Sequence, residues 1–249
     1  MSVLNPLTIN LNNLYLEFIG FIILLSTLGI FLFLIIHYII VGPNAKNLGK
    51  FKPEIPRLNS LERLSHFIRL VSTIILAVTG IAFALFNVKN IGLSYSFAYK
   101  IHLVFALFFT ITTLVSTPIW FRDSFFKSYD WEWLKVLGGY LTRRELYPPS
   151  DKFNAGQKLF YWFSTLLSFF IIISGYLLAS PERFSLNILV WTAVIHGISA
   201  ITLVAIVIPH AYLGSVANPG TIGTIIHGKV SKEWAKIHHP LWFDELEKP

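Results

Sequence analysis

The chain has 249 residues, of which 54% are hydrophobic and 13% are charged, and its formal net charge is +7. A soluble domain of this size usually has about a quarter of its residues charged, so the composition excludes an ordinary soluble domain and favours an integral membrane protein. The lack of cysteine excludes disulfides, iron–sulfur ligation and thiol chemistry within this chain.

Long uncharged runs, taken in chain order, predict five transmembrane helices, because about 20 apolar residues cross a hydrocarbon core of about 30 Å. The predicted spans are roughly 14–41, 61–87, 96–121, 154–179 and 187–213. Pro219 and the glycines around it are expected to end the fifth helical pattern after about Leu213. The first span is expected to be retained, since residues 1–14 carry no Lys or Arg and the apolar run is too long for a signal peptide. The predicted fold class is therefore an all-α integral membrane protein with five transmembrane helices.

Lys and Arg residues predict how the bundle is oriented. They cluster between the first and second spans (Lys46, Lys50, Lys52, Arg57, Arg63), between the third and fourth (Arg122, Lys127, Lys135, Arg143, Arg144, Lys152), and after the fifth (Lys229, Lys232, Lys236, Lys248). The opposite side has only Lys89 and Arg183, with Lys100 just inside a helix. The positive-inside rule then places the N-terminus outside and the C-terminus in the cytoplasm of a cell inner (plasma) membrane. These charges are expected at the level of anionic lipid headgroups. We therefore expect the chain to contact membrane lipid and not nucleic acid.

Four histidines lie at two matched depths in the predicted spans. His66 is about five residues into the second span, near the inner face, and His102 is about six residues into the third, near the outer face. The fifth span carries His196 in its outer half and His210 near its inner end, fourteen residues or about 21 Å apart on nearly the same side of the helix. Depth therefore pairs His102 with His196 and His66 with His210.

Two stacked histidine pairs fit two b-type haems, each held from both axial positions. Haem b needs no covalent thioether, so the absence of cysteine is compatible with it, and a haem with both axial positions filled transfers electrons. A single intramembrane histidine often only hydrogen-bonds neighbouring helices, whereas ionisable residues in a bilayer are frequently functional. The small residues Gly80, Gly175, Gly197 and Ser199 either make room for a macrocycle or allow close helix packing.

The remaining histidines receive a different interpretation. His37, near the inner end of the first span, has no partner once the four are paired, so we expect a structural role, with replacement of His66 or His210 as inner ligand as the alternative. The other three, His227, His238 and His239, follow the last span and are expected to be solvated or to contact a partner.

Several motifs resemble those of the cytochrome b membrane (gamma) subunit of respiratory formate dehydrogenase. The long ones are KFNAGQK at 152–158 and GKVSKEWAKIHHPLW at 228–242, and shorter ones are RLSHF at 63–67, AVIHGISA at 193–200 and IPHAYLG at 208–214. The resemblance covers about 57–247. It implies His102 and His196 as ligands of an outer haem b and His66 and His210 as ligands of an inner one. It also implies menaquinone as substrate, contacted by Asn154, Gly156 and Gln157, although Asn154 is equally suited to cap the fourth helix.

The resemblance further implies the partners and the domain organisation. The partners would be an iron–sulfur beta subunit and a molybdenum- or tungsten-containing catalytic alpha subunit that oxidises formate outside the cytoplasm, with the quinone pool as acceptor. The chain would then divide into 1–56, an additional N-terminal helix and cytoplasmic linker; 57–213, a four-helix dihaem cytochrome b domain; and 214–249, a cytoplasmic tail. It would be the quinone-reducing subunit of the oxidoreductase complex and not the site of formate oxidation.

Two alternative functions stay open at this point. One is the cytochrome b subunit of a membrane-bound hydrogenase or a thiosulfate-type reductase. The other, from a different class, is a non-redox membrane anchor or a proton-coupled carrier with histidine proton relays. A carrier is expected to show paired interrupted helices or an inverted repeat, and the sequence shows neither.

Overall fold

The computed structural model describes the backbone of residues 6–85, 94–144 and 146–248, and the side chains of 20–84, 94–144 and 146–248. Among these residues, five helices are long and apolar enough to cross a membrane. They are α1 (Pro6–Ile40), α2 (Ser60–Leu85), α3 (Tyr95–Trp120), α5 (Ala155–Leu178) and α6 (Leu186–Leu213), with the short helix α4 (Asp130–Val136) before α5. The predicted all-α, five-span fold is therefore confirmed.

The helix bounds agree with the predicted spans to within two residues, except at the start of α1. That helix begins at Pro6 rather than near residue 14, and its membrane-length part is Gly20–Ile40. Lys89 and the last two residues of the predicted second span lie outside the described residues.

The bundle has an apolar outside and a small, polar inside. Leu64 on α2, Leu107 on α3 and Phe163 on α5 are each more than half exposed, because lipid tails solvate such side chains as well as a protein core does. Ser and Thr fill the interior instead: Thr113 and Ser168 are fully buried and donate to carbonyl oxygens one turn earlier in their own helices. Small hydroxyl residues allow the helices to approach closely without leaving unpaired polar groups.

Helices α2 and α3 pack as one antiparallel pair and α5 and α6 as another, and α3 joins the pairs by packing on α5. The additional helix α1 packs on α2 and α6. His37 fixes its inner end: Nδ1 lies 2.7 Å from the Tyr212 hydroxyl and Nε2 lies 2.6 Å from the Tyr140 carbonyl oxygen. With both ring nitrogens bound by protein groups, His37 has the expected structural role and is not available as an alternative ligand.

The segment after α6 is folded and not a solvated tail. It contains α7 (Gly223–Ile226), β2 (Lys229–Val230), α8 (Lys232–His238) and α9 (Pro240–Leu246), and β2 pairs antiparallel with β1 (Ile55–Pro56) of the α1–α2 linker. A separate hydrophobic core joins the two segments through Leu48, Val230, Trp234, Ala235, Trp242 and Phe243. We call residues 45–57 together with 221–246 the cap.

Charged and polar groups of the cap are buried where the sequence predicted solvated ones. His239 is 1% exposed, its Nδ1 lies 2.5 Å from the Asp151 carbonyl oxygen, and its Nε2 lies 3.0 Å from Nη2 of Arg57. The Arg57 guanidinium stacks over Trp234 at 4.5 Å, and burial lowers the pKa of Arg57 to about 9. His239 therefore contacts other parts of its own chain instead of the solvent or partner expected for it, because the packing of two segments distant in the chain buries it together with Arg57. His227, in contrast, is exposed as expected.

Candidate functional site

His102 on α3 faces Thr79 and Gly80 on α2. The Thr79 hydroxyl lies 2.7 Å from the Ile75 carbonyl oxygen of its own helix and 2.7 Å from Nδ1 of His102. Because the hydroxyl has a single hydrogen, donation to Ile75 leaves it an acceptor for an N–H at Nδ1 of His102. The Cε1 atom of the ring lies 3.9 Å from where a Cβ on Gly80 would be, so the glycine lets the ring pack on the α2 backbone.

His196 on α6 is held in the same manner by α5. The Ser174 hydroxyl lies 2.5 Å from the Phe170 carbonyl oxygen and 3.0 Å from Nδ1 of His196. A Cβ on Gly175 would come within 3.3 Å of Cε1 of the same ring. A hydroxyl residue followed by glycine therefore orients each outer histidine.

Hydroxyls that donate to their own helices favour a proton on Nδ1 of each outer histidine. With the proton on Nδ1, the lone pair is on Nε2, the atom that a metal ligand presents when its other nitrogen donates to a neighbour. His196 also lies close enough to His102 to act on it electrostatically. Gly80 and Gly175, predicted either to make room for a macrocycle or to allow close helix packing, each leave the space next to an imidazole that a Cβ would enter.

The inner histidines, His66 on α2 and His210 on α6, face each other across the bundle. Their ring centres are 6.4 Å apart with planes at 41°, and His210 stacks on Phe160 of α5 at 3.9 Å with nearly parallel planes. Metal–imidazole bonds are about 2 Å long and a ring centre lies about 1 Å behind the bonded nitrogen, so two ligands of one metal have ring centres roughly 6 Å apart. The observed separation fits that value. Nδ1 of His66 is buried without a hydrogen-bonding partner among the described residues.

A cavity of about 370 Å³ adjoins His210 between α5, α6 and the cap. Asn154, Gly156 and Gln157 line it, as do Trp133, Tyr140, Trp234 and His238. Most of the side chains from α5 and α6 are apolar, including Leu159 and Ile206. An apolar cavity of this volume with a few polar groups at one end suits a flat, weakly polar ligand.

Asn154, Gly156 and Gln157 form the N-terminus of α5. The Asn154 Oδ1 atom accepts from the Gln157 N–H at 2.9 Å, and the Gln157 Oε1 atom accepts from the Asn154 N–H at 3.0 Å, which is a capping box. The capping role expected for Asn154 is therefore present, and its side chain also hydrogen-bonds Tyr140. One N–H of the Asn154 amide and the NH₂ group of Gln157 are left for other partners. At Gly156 a Cβ would lie 2.7 Å from Trp133, so only glycine lets that indole pack on the helix start.

Two buried cations escaped the sequence interpretation. Arg69 lies within α2, one turn from His66, and donates to the Ser116 hydroxyl at 3.1 Å and to the Ser168 hydroxyl at 2.8 Å, with no carboxylate in salt-bridge range among the described residues. Lys158, 0% exposed, pairs with the buried Asp130 of α4 at 2.7 Å. Arg69 could have been identified from the sequence, because a single Arg inside a predicted span is a candidate functional residue. The pairing of Lys158 could not be predicted from the sequence, because its partner Asp130 lies 28 residues away in a short helix.

Comparison with known proteins places the chain in a family. It is 34% identical over 100 residues to the cytochrome b556(Fdn) subunit of nitrate-inducible formate dehydrogenase of Escherichia coli K12, covering 39% of this chain and 46% of that relative. It is 25% identical over 206 residues to the cytochrome b556(fdo) subunit of formate dehydrogenase of the same organism, covering 80% and 96%. It is 30% identical over 99 residues to the formate dehydrogenase cytochrome b556 subunit of Haemophilus influenzae, covering 39% and 41%. The chain thus spans less than half the length of the first of these relatives. Residues 57–228, more than half of the chain, match the family described as prokaryotic cytochrome b561, and the chain belongs to that family.

Proposed function

We propose that this chain is the cytochrome b subunit of a formate dehydrogenase, which binds two haem b groups and transfers electrons across the membrane to menaquinone. His102 and His196 would hold the outer haem, and His66 and His210 the inner one. The observation that carries the proposal is the orientation of the outer histidines, since Thr79 and Ser174 each leave Nε2 with its lone pair. Membership of a cytochrome b family supports haem b as the cofactor.

When bound, the two haems would supply one-electron carriers at two depths. The chain's own part is to hold the ligand rings in place before binding. The hydroxyls of Thr79 and Ser174 fix the tautomer of the outer pair, and the stack on Phe160 fixes the plane of His210. Orienting partners of this kind typically change ligand affinity about 10- to 100-fold.

The cavity beside His210 is the proposed quinone site. Asn154 and Gln157 line it, and their amide groups can donate to a quinone carbonyl oxygen while their own oxygens cap α5. The apolar walls from α5 and α6 suit the naphthoquinone ring. In this proposal the acceptor binds beside the last electron carrier, because the cavity adjoins an inner haem ligand.

The orientation and the partners are part of the same proposal. The clustering of Lys and Arg favours a cytoplasmic cap and an N-terminus outside. Formate would be oxidised outside by a molybdenum- or tungsten-containing catalytic subunit, and an iron–sulfur subunit would pass the electrons to the outer haem. The names of the relatives, all cytochrome subunits of formate dehydrogenases, support this choice of partner.

The first experiment is a haem count on the detergent-purified full-length chain, by reduced-minus-oxidised spectrum and pyridine haemochrome assay. About two b haems per chain are expected from the two histidine pairs. His196→Leu should lose one haem and keep the spectrum of the inner one, whereas His227→Leu, which removes an exposed histidine outside the bundle, should keep both. A folded but colourless protein would contradict the proposal and favour a non-redox anchor or carrier. Loss of both haems from His196→Leu would contradict independent sites.

A second experiment separates quinone binding by Asn154 from helix capping. Asn154→Ser keeps a side-chain oxygen for the cap and removes the amide donor. We expect both haem spectra and the melting temperature to be retained, and electron exchange with a naphthoquinone to slow. Unchanged exchange would make Asn154 a helix cap alone.

A further inference from the structure

Two cavities meet beneath the bundle and share part of their walls. One is the cavity of about 370 Å³ next to His210. The other has a volume of about 10 Å³ and is bordered by the α4–α5 connection and by α8, which is room for about one water molecule. Trp133, Tyr140, Asn154 and His238 line both. These four residues therefore separate the proposed quinone site from a water-sized space on the side of the cap.

The consecutive histidines of the cap differ in what their ring nitrogens contact. Both nitrogens of His239 are bound, one near the Asp151 carbonyl oxygen and the other near Arg57. Nε2 of His238 is buried and has no hydrogen-bonding partner within the described part of the chain. An unpaired buried polar atom costs free energy, about 1–3 kcal/mol in proteins generally. An unpaired nitrogen on a residue that lines both cavities therefore points to a role toward a ligand of the cavity.

His238 is also the member of the shared wall best suited to proton transfer. An imidazole accepts a proton on one nitrogen and releases one from the other, whereas Trp133 and the Asn154 amide do not exchange protons at neutral pH. Arg57 and His239 act on His238 electrostatically, and Tyr140 and Tyr147 line the small cavity with it. Burial, and then the Arg57 charge, lower the pKa of His238 to about 4, so the ring is neutral until negative charge develops nearby.

We propose that His238 is the proton relay of the quinone site, carrying protons from the small cavity to the quinone oxygens in the large one. The inference rests on the proposed function. Reduction of a quinone to a quinol takes two electrons and two protons, and forms an O–H bond on each carbonyl oxygen. The bound haems would supply the two electrons one at a time. For each proton given from one nitrogen of His238, the other nitrogen takes one from water in the small cavity.

The test runs the reaction in reverse, so that no partner subunit is needed. The haem-loaded full-length chain in nanodiscs is mixed with 2-methyl-1,4-naphthoquinol, and haem reduction is followed by stopped-flow absorbance. Affinity for the oxidised naphthoquinone is measured separately by quenching of tryptophan fluorescence, since Trp133 and Trp234 line the cavity. We expect His238→Gln to lower the maximal rate constant roughly 100-fold, the usual size of a general acid–base contribution. Naphthoquinone affinity and haem spectra should stay unchanged.

The controls separate this proposal from the one it rests on. His227→Gln changes an exposed histidine that lines neither cavity and should match the wild type. A wild-type rate in His238→Gln would overturn the relay, as would weaker naphthoquinone binding with an unchanged maximal rate. So would loss of rate in Tyr140→Phe but not in His238→Gln. If dithionite reduces the wild-type haems but naphthoquinol does not, the proposed quinone function fails instead.

Discussion

Alanine substitutions at three helical glycines test whether the rings of His102 and His196 already occupy the positions in which they would bind haem. A Cβ at Gly29 meets no other described residue within 4 Å, one at Gly80 lies 3.9 Å from Cε1 of His102, and one at Gly175 lies 3.3 Å from Cε1 of His196. Carbon atoms pack best at about 3.5–4.0 Å. The three sites therefore form a graded series of open space, ordinary contact and overlap.

The expected effects follow from two opposing contributions. Alanine in place of glycine favours a helix by roughly 0.5–1 kcal/mol, whereas inserting a methyl group into a tightly packed site costs about 1–3 kcal/mol. At Gly175 the ring of His196 cannot retreat freely, since Nδ1 is held by Ser174 at 3.0 Å. The helix gain is the same with and without haem, whereas the overlap is felt in full only when haem holds the ring in this position. A cost of about 1–2 kcal/mol specific to the bound state corresponds to roughly 5- to 30-fold weaker binding of the outer haem. Gly29→Ala and Gly80→Ala should bind haem as the wild type does.

The assay is a haem titration of each apo-protein, read from the reduced spectra of the two haems. Gly175→Ala should require more haem to fill one of the two sites and leave the other unaffected. The reasoning is refuted if Gly175→Ala and Gly29→Ala titrate alike, or if Gly80→Ala is the more damaged variant.

Three further predictions concern the contacts around the bundle. His37→Leu should destabilise the protein to thermal unfolding in detergent by roughly 2–3 kcal/mol, since two buried hydrogen bonds are lost; Tyr212→Phe, which removes one of them, should cost about half as much. Lys158→Met should cost about 3–5 kcal/mol in chemical denaturation, because it leaves the Asp130 carboxylate buried without its partner, and adding Asp130→Leu should recover most of the loss. Arg69→Gln should lower the midpoint potential of the inner haem in a redox titration by roughly tens of millivolts, because removing a buried positive charge destabilises the reduced haem. Arg69→Lys should retain the wild-type potential.

The membrane-spanning part of the fold is predictable because a single physical requirement dominates it. A helix that crosses the bilayer must be long and uncharged, and this pattern alone locates four of the five spans to within two residues. The depth of a histidine then follows from its distance to the helix end. The proximity of the His66 and His210 rings agrees with the pairing inferred from depth.

The cap is not predictable in the same way. Its elements are two to seven residues long. Its core brings together Leu48 and Trp234, although most of the bundle lies between them in the sequence. No periodic pattern extends over such short elements, and a burial that depends on a partner 186 residues away leaves no local signal. The sequence therefore places Arg57 at headgroup level and His239 in solvent or at a partner, and it gives no sign that aromatic rings and carbonyl groups of this chain enclose both. Gly80 and Gly175, which face His102 and His196, were among the small residues predicted from the sequence, whereas the hydroxyl partners Thr79 and Ser174 were not.

The two buried arginines bear on the direction of electron flow. In the proposed orientation electrons move inward, against a membrane potential that is negative inside, at a cost of about 2.3 kcal/mol per charge for each 100 mV. Arg69 acts electrostatically on both inner histidines and its hydrogen-bonding partners are neutral hydroxyls, so its charge is not cancelled locally. Arg57 keeps its charge at neutral pH, with a pKa of about 9, and acts on His238 at the edge of the quinone cavity. Positive charge in a medium of low dielectric constant lowers the energy of a nearby electron. In the proposed function, the two cations thus lie where an inward-moving electron would need compensation, first at the proposed inner haem and then at the proposed quinone site.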